Sequence, residues 1–423
     1  MPVVEAMMKR KPVAITCLTT LVCAFAAGGA VGRDVDAAAA VASSPAAVFW
    51  GAVRDQLQGR YYPGPTTDVA AIVRDAETAL AERCRASGAA CPEQAGVEVA
   101  QKAITDLGDR HTRLSRPAPD AAARRGPTAQ ASALGWIVRG GRTPGDLYVA
   151  WVSPDGPAAL AGVRRFDRLI AAEGETAASL NARSTPLKLG LARKGAVIEV
   201  ELTPGPARIA LPRLDWKGRY AILQFPGGAG EGVAQHAHDL VRRAREEGAQ
   251  GLVLDLRDNP GGGVQCAAMA AAFMDYQVVM TERAGGRRTI TVDEGGVRVE
   301  EAGEIEELRL ERPARWGAPL AILVNQGTGS CAEAVAIQAS LAGRAHIFGE
   351  PSVGVGNNVI QPVDLPGGWR LLMTVAYGSR PNGEALPSRP PLDVEVADDP
   401  LSIADSGHDK ALDAALEWLR RAR

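Results

Sequence analysis

Residues 251–269 read GLVLDLRDNPGGGVQCAAM, and this stretch decides the fold class. Its first residues are nearly all apolar, which is typical of a strand in a sheet that is covered on both faces. A turn of Asp, Asn, Pro and three glycines follows. The Ala-rich segment after the turn predicts a helix, so the stretch has the strand–turn–helix order of an α/β core.

The same alternation continues on both sides of this stretch. A second buried strand, PLAILVN (319–325), also leads through a polar turn into an Ala-rich helix. Residues 278–299 look like a strand pair with a Gly-rich turn. The remaining elements of the predicted core are a strand at 220–225, an amphipathic helix at 232–248, and strands at 344–350 and 369–377.

Two differently patterned regions precede this core. From Val48 to about Ala103 the apolar residues recur at helical spacing, which predicts a small helical domain. Residues 131–204 instead predict short strands around one or two short helices. The predicted organisation is 1–32 signal peptide, 33–128 linker and helical domain, 129–206 β-rich domain, 207–405 α/β core and 406–423 C-terminal helix.

The N-terminal segment has the layout of a secretory signal peptide. Lys9, Arg10 and Lys11 precede an apolar run from Pro12 to Gly32 that ends in small residues. An uncleaved membrane anchor is the alternative, because the run is just long enough to span a bilayer. Either way we expect a secreted, periplasmic or cell-envelope protein, with membrane association only through this segment.

The net charge and the cysteines bear on the kind of partner and on the cellular compartment. The formal net charge is −2 and no long basic run occurs, which argues against nucleic acid as a partner. Export implies an oxidising compartment. Cys84 and Cys91 flank a short loop between helical patterns, so a local disulfide is expected, with two free thiols as the alternative.

Ser330 stands where the second buried strand turns into a helix. It is either an ordinary helix cap or a nucleophile, and a nucleophilic serine needs a base and donors for the oxyanion. The N–H groups of Gly261, Gly262 and Cys331 are candidate donors, because glycines allow close approach and a helix start leaves N–H groups unpaired. Two such turns in one core favour a site at the strand ends.

Three segments together resemble the C-terminal-processing and tricorn-type serine peptidase family. They are LVLDLRDNPGGG (252–263), the segment from ILVNQGTGSCAEAVA (322–336) to RAHIFGEPSVG (344–354), and the β-rich stretch 131–204, which is similar to a PDZ domain. The resemblance implies a crotonase/ClpP-like α/β core with an inserted PDZ-like domain and an N-terminal helical domain. It makes Ser330 the nucleophile and Leu134, Gly135 and Trp136 the loop that binds a peptide carboxylate.

The family activates its serine in two ways. Its processing branch uses a Lys soon after the nucleophile, but here Val355 stands at that position and no Lys occurs between Lys217 and Lys410. Its tricorn-like branch uses a His in a segment that LGDRHT (107–112) resembles, which implies His111 as the base. The same branch implies an acid near the end of the core, for which Glu384 is the candidate. Arg110 stands where that branch has a Ser.

The sequence predicts neither a metal site nor a cofactor. His236 and His238 are two residues apart on a helix and therefore do not share a face, and residues 227–232 lack the order of a nucleotide-binding loop. We expect an exported serine endopeptidase that acts on peptides or unfolded proteins. The alternatives are a catalytically inactive PDZ peptide-binding protein of the same fold and a different acyl-transfer enzyme of a crotonase-like fold.

Overall fold

The computed structural model describes residues 42–116, 131–170, 174–206, 208–228, 230–397 and 399–422. The predicted signal peptide, with Cys17 and Cys23, and most of the predicted linker lie outside the described residues. No helix within these ranges is both long and apolar enough to cross a membrane. The described residues form two compact units.

The first unit comprises the described residues up to 116 together with Pro362–Met373. Its helices are α1 (Pro45–Gly59), α2 (Val69–Cys84) and α3 (Glu93–Asp106), as the helical spacing predicted. Cys84 and Cys91 form the expected disulfide after α2. Strand β1 (Arg113–Ser115) pairs antiparallel with residues 370–372, so a segment that the sequence assigned to the core belongs to this unit.

The second unit begins with the β-rich region. In chain order its elements are β2 (Ala131–Ser132), β3 (Trp136–Gly140), β4 (Leu147–Val152), α4 (Pro157–Leu160), β5 (Arg168–Ile170), α5 (Ala177–Ala182), β6 (Leu187–Arg193), β7 (Ala196–Leu202) and β8 (Arg208–Ile209). Strands β3 to β7 form one antiparallel sheet in chain order, with β3 at an edge. The expected short strands around two short helices are therefore present.

The α/β core supplies the rest of the second unit. Its elements are β9 (Arg213–Lys217), β10 (Tyr220–Gln224), α6 (Val233–Glu246), β11 (Gly251–Asp255), α7 (Val264–Ala270), β12 (Tyr276–Glu282), β13 (Arg287–Asp293), β14 (Gly296–Glu301), β15 (Glu304–Arg309), β16 (Leu320–Val324), α8 (Cys331–Leu341), β17 (His346–Gly349), β18 (Asn358–Asp364), β19 (Arg370–Ser379), β20 (Val394–Glu395), α9 (Pro400–Ser406) and α10 (Lys410–Arg421). Strands β18 and β19 also contribute residues to the first unit.

The central sheet has the order β20-β17-β16-β11-β10-β9, and all of its pairs are parallel except β9 with β10. Alternate side chains of β16 enter two different clusters. Leu320, Ile322 and Val324 pack with α6, α7 and α8, whereas Ala321 and Leu323 pack with α10. The nearly continuous apolar strands are thus explained by helices on both faces.

Residues 276–309 form more strands than the sequence predicted. In place of a single strand pair, β12 to β15 make a four-stranded antiparallel ribbon, and β12 also pairs with residues 376–379. The fourth strand reads EIEELR, in which four of six residues are charged and the two apolar residues, Ile305 and Leu308, are three positions apart instead of two. Its sequence therefore lacks the hydrophobic signal on which the prediction depended.

Candidate active site

The two turns singled out in the sequence meet at the C-terminal ends of two neighbouring strands of the central sheet. Strands β11 and β16 are parallel neighbours, with Asp255 opposite Leu323, so their C-terminal ends coincide. Gly329 N–H donates to the carbonyl of Asn259 at 2.9 Å. Asp258 N–H donates to Asn325 Oδ1, also at 2.9 Å. These bonds fix the glycine turn and the serine turn to each other.

Ser330 is held in a strained backbone conformation at the start of α8. Its φ is 52° and its ψ is −124°, whereas a helix cap usually has extended dihedral angles. A positive φ in a residue other than glycine costs about 1–3 kcal/mol and concentrates at functional sites. The side chain is half-buried rather than enclosed. This conformation resembles a nucleophile turn more than an ordinary cap.

Gly261 lies directly against the serine. A Cβ at this position would be 2.7 Å from Ser330 Cβ and 2.9 Å from the nitrogen of Cys331, and its φ is 101°. Only glycine therefore fits. The N–H of Gly261, however, donates to Asn259 Oδ1 at 2.8 Å. The role of this N–H in binding the oxyanion stays a prediction, and Gly262 is the better placed of the two glycines because its N–H is not used within the turn.

Gly262 and Cys331 keep their place as candidate oxyanion donors. No hydrogen bond among the described residues uses the N–H of Gly262 or of Cys331. A Cβ at Gly262 would lie 2.5 Å from the carbonyl carbon of Gly228, so this position too requires glycine. The N–H of Cys331 belongs to the first residue of an 11-residue helix, where the helix dipole favours negative charge.

Glu333 organises the serine turn from the first turn of α8. Its side chain is completely buried. One carboxylate oxygen accepts the N–H of Ser330 and of Val355, each at 2.9 Å. The other accepts the N–H of Gly354 at 2.6 Å and the hydroxyl of Ser352. Glu333 therefore does more than complete a capping box with Ser330, because the same carboxylate also holds residues 352–355 against the serine turn.

Val355, at the position of the absent Lys, is buried beside this carboxylate. The neighbouring Val353 donates its N–H to the carbonyl of Thr328 at 3.0 Å. The segment thus contacts the serine turn and Glu333 through main-chain N–H groups and the Ser352 hydroxyl. It offers no basic side chain to Ser330.

A buried ion cluster fixes the strand that leads into the glycine turn. Asp255 binds Arg165, from the β-rich region, and Arg257. Burial by itself would favour the neutral acid, but the two guanidinium groups outweigh it and hold the pKa of Asp255 well below its ordinary value. Arg257 also binds Asp409, whose side chain caps α10.

Cys331 lies beside a second thiol. Cys266 near the start of α7 is fully buried, and both cysteines are free. Burial, together with the neighbouring Cys331 thiol, raises the pKa of Cys266 well above its ordinary value. Cys266 is therefore a protonated, inert core thiol at neutral pH.

His111 lies in the first unit, in a turn between α3 and β1. It is 7% exposed. Asp109 shapes the turn, because its carboxylate accepts the N–H of His111 at 2.9 Å and the hydroxyl of Thr112 at 2.6 Å. The assignment of His111 as base stays a prediction.

Glu384 does not have the environment of an acid that orients a catalytic His. Its side chain is 58% exposed and pairs with Arg380 at 3.0 Å. An orienting carboxylate has to be buried and hydrogen-bonded to the imidazole. The assignment of Glu384 stays a prediction that its exposed position does not favour, because spacing relative to a family motif does not report whether a side chain is exposed.

The other histidines have structural or surface positions. His238 is buried, accepts the N–H of Ala314 on Nδ1 and donates from Nε2 to the carbonyl of Ala268. His236 interacts with the carbonyl of Pro212, and His346 stacks on Trp418. His408 is exposed. No group of three His, Cys, Asp or Glu side chains within the described ranges is placed to hold a metal ion.

The predicted peptide-carboxylate loop lies beside the edge strand β3. Leu134 and Trp136 are buried, and Gly135 has a φ of 71°. The N–H groups of Leu134 and Gly135 donate to the side chain and the carbonyl of Ser132, respectively. Peptide binding at this loop stays a prediction.

Comparison with known proteins places the site in a family. Residues 219–395 match peptidase family S41. The match covers the α/β core, less than half of the chain, and it supports a serine peptidase. The chain is 27% identical over 343 residues to the carboxyl-terminal-processing protease of Synechocystis sp., a match that spans 74% of this chain and 75% of that protein. It is 25% identical over 256 residues to the carboxy-terminal processing protease CtpA of Bacillus subtilis, across 57% of this chain and 51% of that protein.

Solved structures have a fold similar to that of this chain. A putative S41 protease from Bacteroides fragilis superposes with a TM-score of 0.54 at 15% identity, over 88% of this chain and 97% of that one. The photosystem II D1 C-terminal processing protease gives a TM-score of 0.51 at 21% identity, over 84% and 94%. The mixed α/β architecture predicted from the sequence is confirmed.

Proposed function

We propose that this S41 peptidase is an exported endopeptidase in which Ser330 is the nucleophile and His111 the general base. The observation that carries the proposal is the strained Ser330 packed against Gly261, between the unused N–H groups of Gly262 and Cys331. The substrates are peptides or unfolded proteins, and the names of the relatives support cleavage near C-termini.

His111 is chosen as the base because other candidate bases for Ser330 can be excluded. No Lys lies between Lys217 and Lys410. Both ring nitrogens of His238 are occupied. His346 is the first residue of β17, which runs parallel to β16. It therefore lies at the N-terminal ends of the strands, whereas Ser330 follows a C-terminal end. His111 is the histidine that the family resemblance also selects.

The proposed reaction is acyl transfer. His111 takes the proton of Ser330 Oγ as the oxygen attacks the peptide carbonyl, and the N–H groups of Gly262 and Cys331 stabilise the oxyanion. The imidazolium then gives its proton to the leaving amine, and water hydrolyses the acyl-enzyme by the reverse proton transfers. Glu333 keeps the serine turn in its strained conformation through the N–H of Ser330.

Export and peptide docking complete the proposal. The N-terminal basic and apolar segment and the Cys84–Cys91 disulfide support an oxidising, extracytoplasmic location. The antiparallel β-rich region, with its buried Leu134 and Trp136 and its turn at Gly135, supports a PDZ-like domain that binds peptide C-termini.

The test compares wild type with Ser330→Ala and His111→Ala on an unstructured protein substrate. We expect each variant to lower kcat by at least about 10³-fold, because nucleophile and base act as a unit. A fluorophosphonate should label Ser330 in the wild type only. If all three proteins are equally inert and unlabelled, the chain is a binding protein rather than a peptidase.

Two variants serve as controls for this test. Cys331→Ala keeps the backbone N–H and should keep fluorophosphonate labelling, which excludes the thiol as nucleophile. His236→Gln changes a histidine whose ring bonds to Pro212. Full activity of His111→Ala would leave the peptidase intact and disprove only the assignment of the base.

A further inference from the structure

The edge strand of the PDZ-like sheet has main-chain groups on its outer side that are already hydrogen-bonded. Strand β3 pairs with β4 on one side, and its other side faces α5. There Asn181 Oδ1 accepts the N–H of Val138 at 2.7 Å, and Asn181 Nδ2 donates to the carbonyl of the same residue at 2.9 Å. A single side-chain amide thus satisfies both main-chain groups of one strand residue.

This pairing reproduces the bond pattern of an added strand. In an antiparallel ladder, a residue exchanges an N–H donor and a C=O acceptor with its partner across the edge. The amide of Asn has the same donor and acceptor as a peptide group. Val138 therefore offers the two bonds that an extended peptide would use, and Asn181 already occupies them.

Other contacts hold α5 in place. Trp136 Nε1 donates to the carbonyl of Leu180 at 3.3 Å, and Leu180 is fully buried in the core of the β-rich region. Thr176 and Ser179 form a capping box at the helix start. Because the helix has its own anchors, the amide of Asn181 is free to exchange partners without the helix leaving the sheet.

We infer that Asn181 is an internal competitor that occupies the peptide site on β3, and that an extended peptide binds by displacing its amide from Val138. This inference rests on the proposed peptide binding of the PDZ-like domain but not on the peptidase mechanism. Strand addition supplies the affinity through main-chain bonds. The competing amide lowers that affinity, because its bonds have to break before the peptide forms its own.

The experiment measures peptide binding to the full chain carrying Ser330→Ala, which prevents cleavage. The probe is a fluorescein-labelled ten-residue peptide of alternating apolar and polar residues with a free C-terminus. Adding Asn181→Ala should tighten binding about tenfold, the effect of one to two net hydrogen bonds. Hydrogen exchange at the Val138 amide should be slow without peptide, fast in Asn181→Ala, and slow again when peptide binds.

Ser179→Ala is the matched control. It removes the Ser179 hydroxyl that accepts the N–H of Thr176 at 2.8 Å, and so weakens the capping box and loosens the same helix, but it leaves Asn181 on Val138. Its binding should equal that of the parent chain. An equal gain from Ser179→Ala would assign the effect to helix loosening and overturn the competitor role. Unchanged, weaker or absent binding in Asn181→Ala would also overturn it.

An amidated version of the peptide, which lacks the C-terminal carboxylate, tests the proposed carboxylate loop independently of the role of Asn181. If amidation weakens binding, the loop at Leu134–Trp136 reads the carboxylate; if it does not, that loop assignment fails. The tenfold ratio between Asn181→Ala and its parent should be the same for both peptides, since Val138 pairs with main-chain groups.

Discussion

Two neighbouring strand ends build the candidate active site in different ways. After β11 the turn is made of glycines, and positive φ values at Gly261 and Gly262 come without strain. After β16 the corresponding positive φ falls on Ser330, where the surroundings impose it. Glycine freedom thus shapes the part of the first turn that faces Ser330, although Asp258 at its start also has a positive φ of 61°. A buried carboxylate and tight packing shape the second turn.

The difference explains why the two turns are not interchangeable. A glycine turn can approach its neighbour closely but offers no reactive group. A serine turn offers the hydroxyl but needs a partner without a Cβ opposite to it. The 2.7 Å approach that a Cβ at Gly261 would make to Ser330 shows that each turn supplies what the other lacks.

Gly261→Ala should have the largest effect on this arrangement. The new Cβ would overlap Ser330 and Cys331 and would stand at a φ of 101°, so we expect a loss of about 2–4 kcal/mol in stability. Displacing the serine turn by about 1 Å should lower kcat at least 10²-fold. Urea unfolding and steady-state kinetics measure both effects.

Gly263→Ala is the control for that variant. Its Cβ meets nothing within 4 Å, and its φ is −92°. We expect at most about 1 kcal/mol of destabilisation, from the helix start that it caps, and nearly unchanged kcat. Similar losses in both variants would mean that the glycine turn acts through flexibility rather than through close approach.

Glu333→Gln should have the next largest effect. The amide can accept on one oxygen only, and its NH₂ group would face the N–H groups that now donate to the carboxylate. We expect about 2–4 kcal/mol lower stability and a kcat reduced about 10- to 100-fold. Slower fluorophosphonate labelling of Ser330 would attribute the loss to the serine turn itself.

Glu417→Gln provides the comparison for a surface carboxylate. Glu417 is exposed on α10 and pairs with Arg421, and such pairs contribute about 0–0.5 kcal/mol. Unfolding and kcat should match the wild type. If Glu333→Gln behaves the same way, the buried carboxylate does not control the serine turn.

Ser330→Gly tests whether Ser330 is strained, because it places a glycine at the positive φ of the serine turn, as in the glycine turn. Relief of the positive φ should make it about 1 kcal/mol more stable than Ser330→Ala, although both variants lack the Ser330 hydroxyl. The denaturant midpoints of the two variants measure this difference, provided that their m-values agree. Equal midpoints would show that Ser330 is not strained.

Glu384→Gln lies outside both turns and should have the smallest effect. Its carboxylate is exposed and paired with Arg380, so we expect kcat and KM within about twofold of the wild type. A large loss of kcat with a shifted pH profile would restore Glu384 as the acid that orients His111.

The sequence predicted those parts of the molecule that local composition controls. Apolar runs identified β10, β11 and β16, glycines identified the first turn, and the spacing of Cys84 and Cys91 identified the disulfide. It did not predict features that depend on distant neighbours. The exposure of Glu384, the bond that uses the N–H of Gly261 and the contacts of Glu333 with residues 352–355 all arise only when separated segments meet.

Asp409 links the C-terminal helix to the strand that leads into the glycine turn, which bears on the order in which the chain folds. Its carboxylate caps α10 and binds the buried Arg257, two residues after the strand that leads into the glycine turn. Residues 411–419 also cover one face of the central sheet. A growing or emerging chain therefore cannot complete its core before α10 is available. Proteolytic competence should arise only after that helix has docked, so a partly made chain lacks the finished machinery to cut its surroundings.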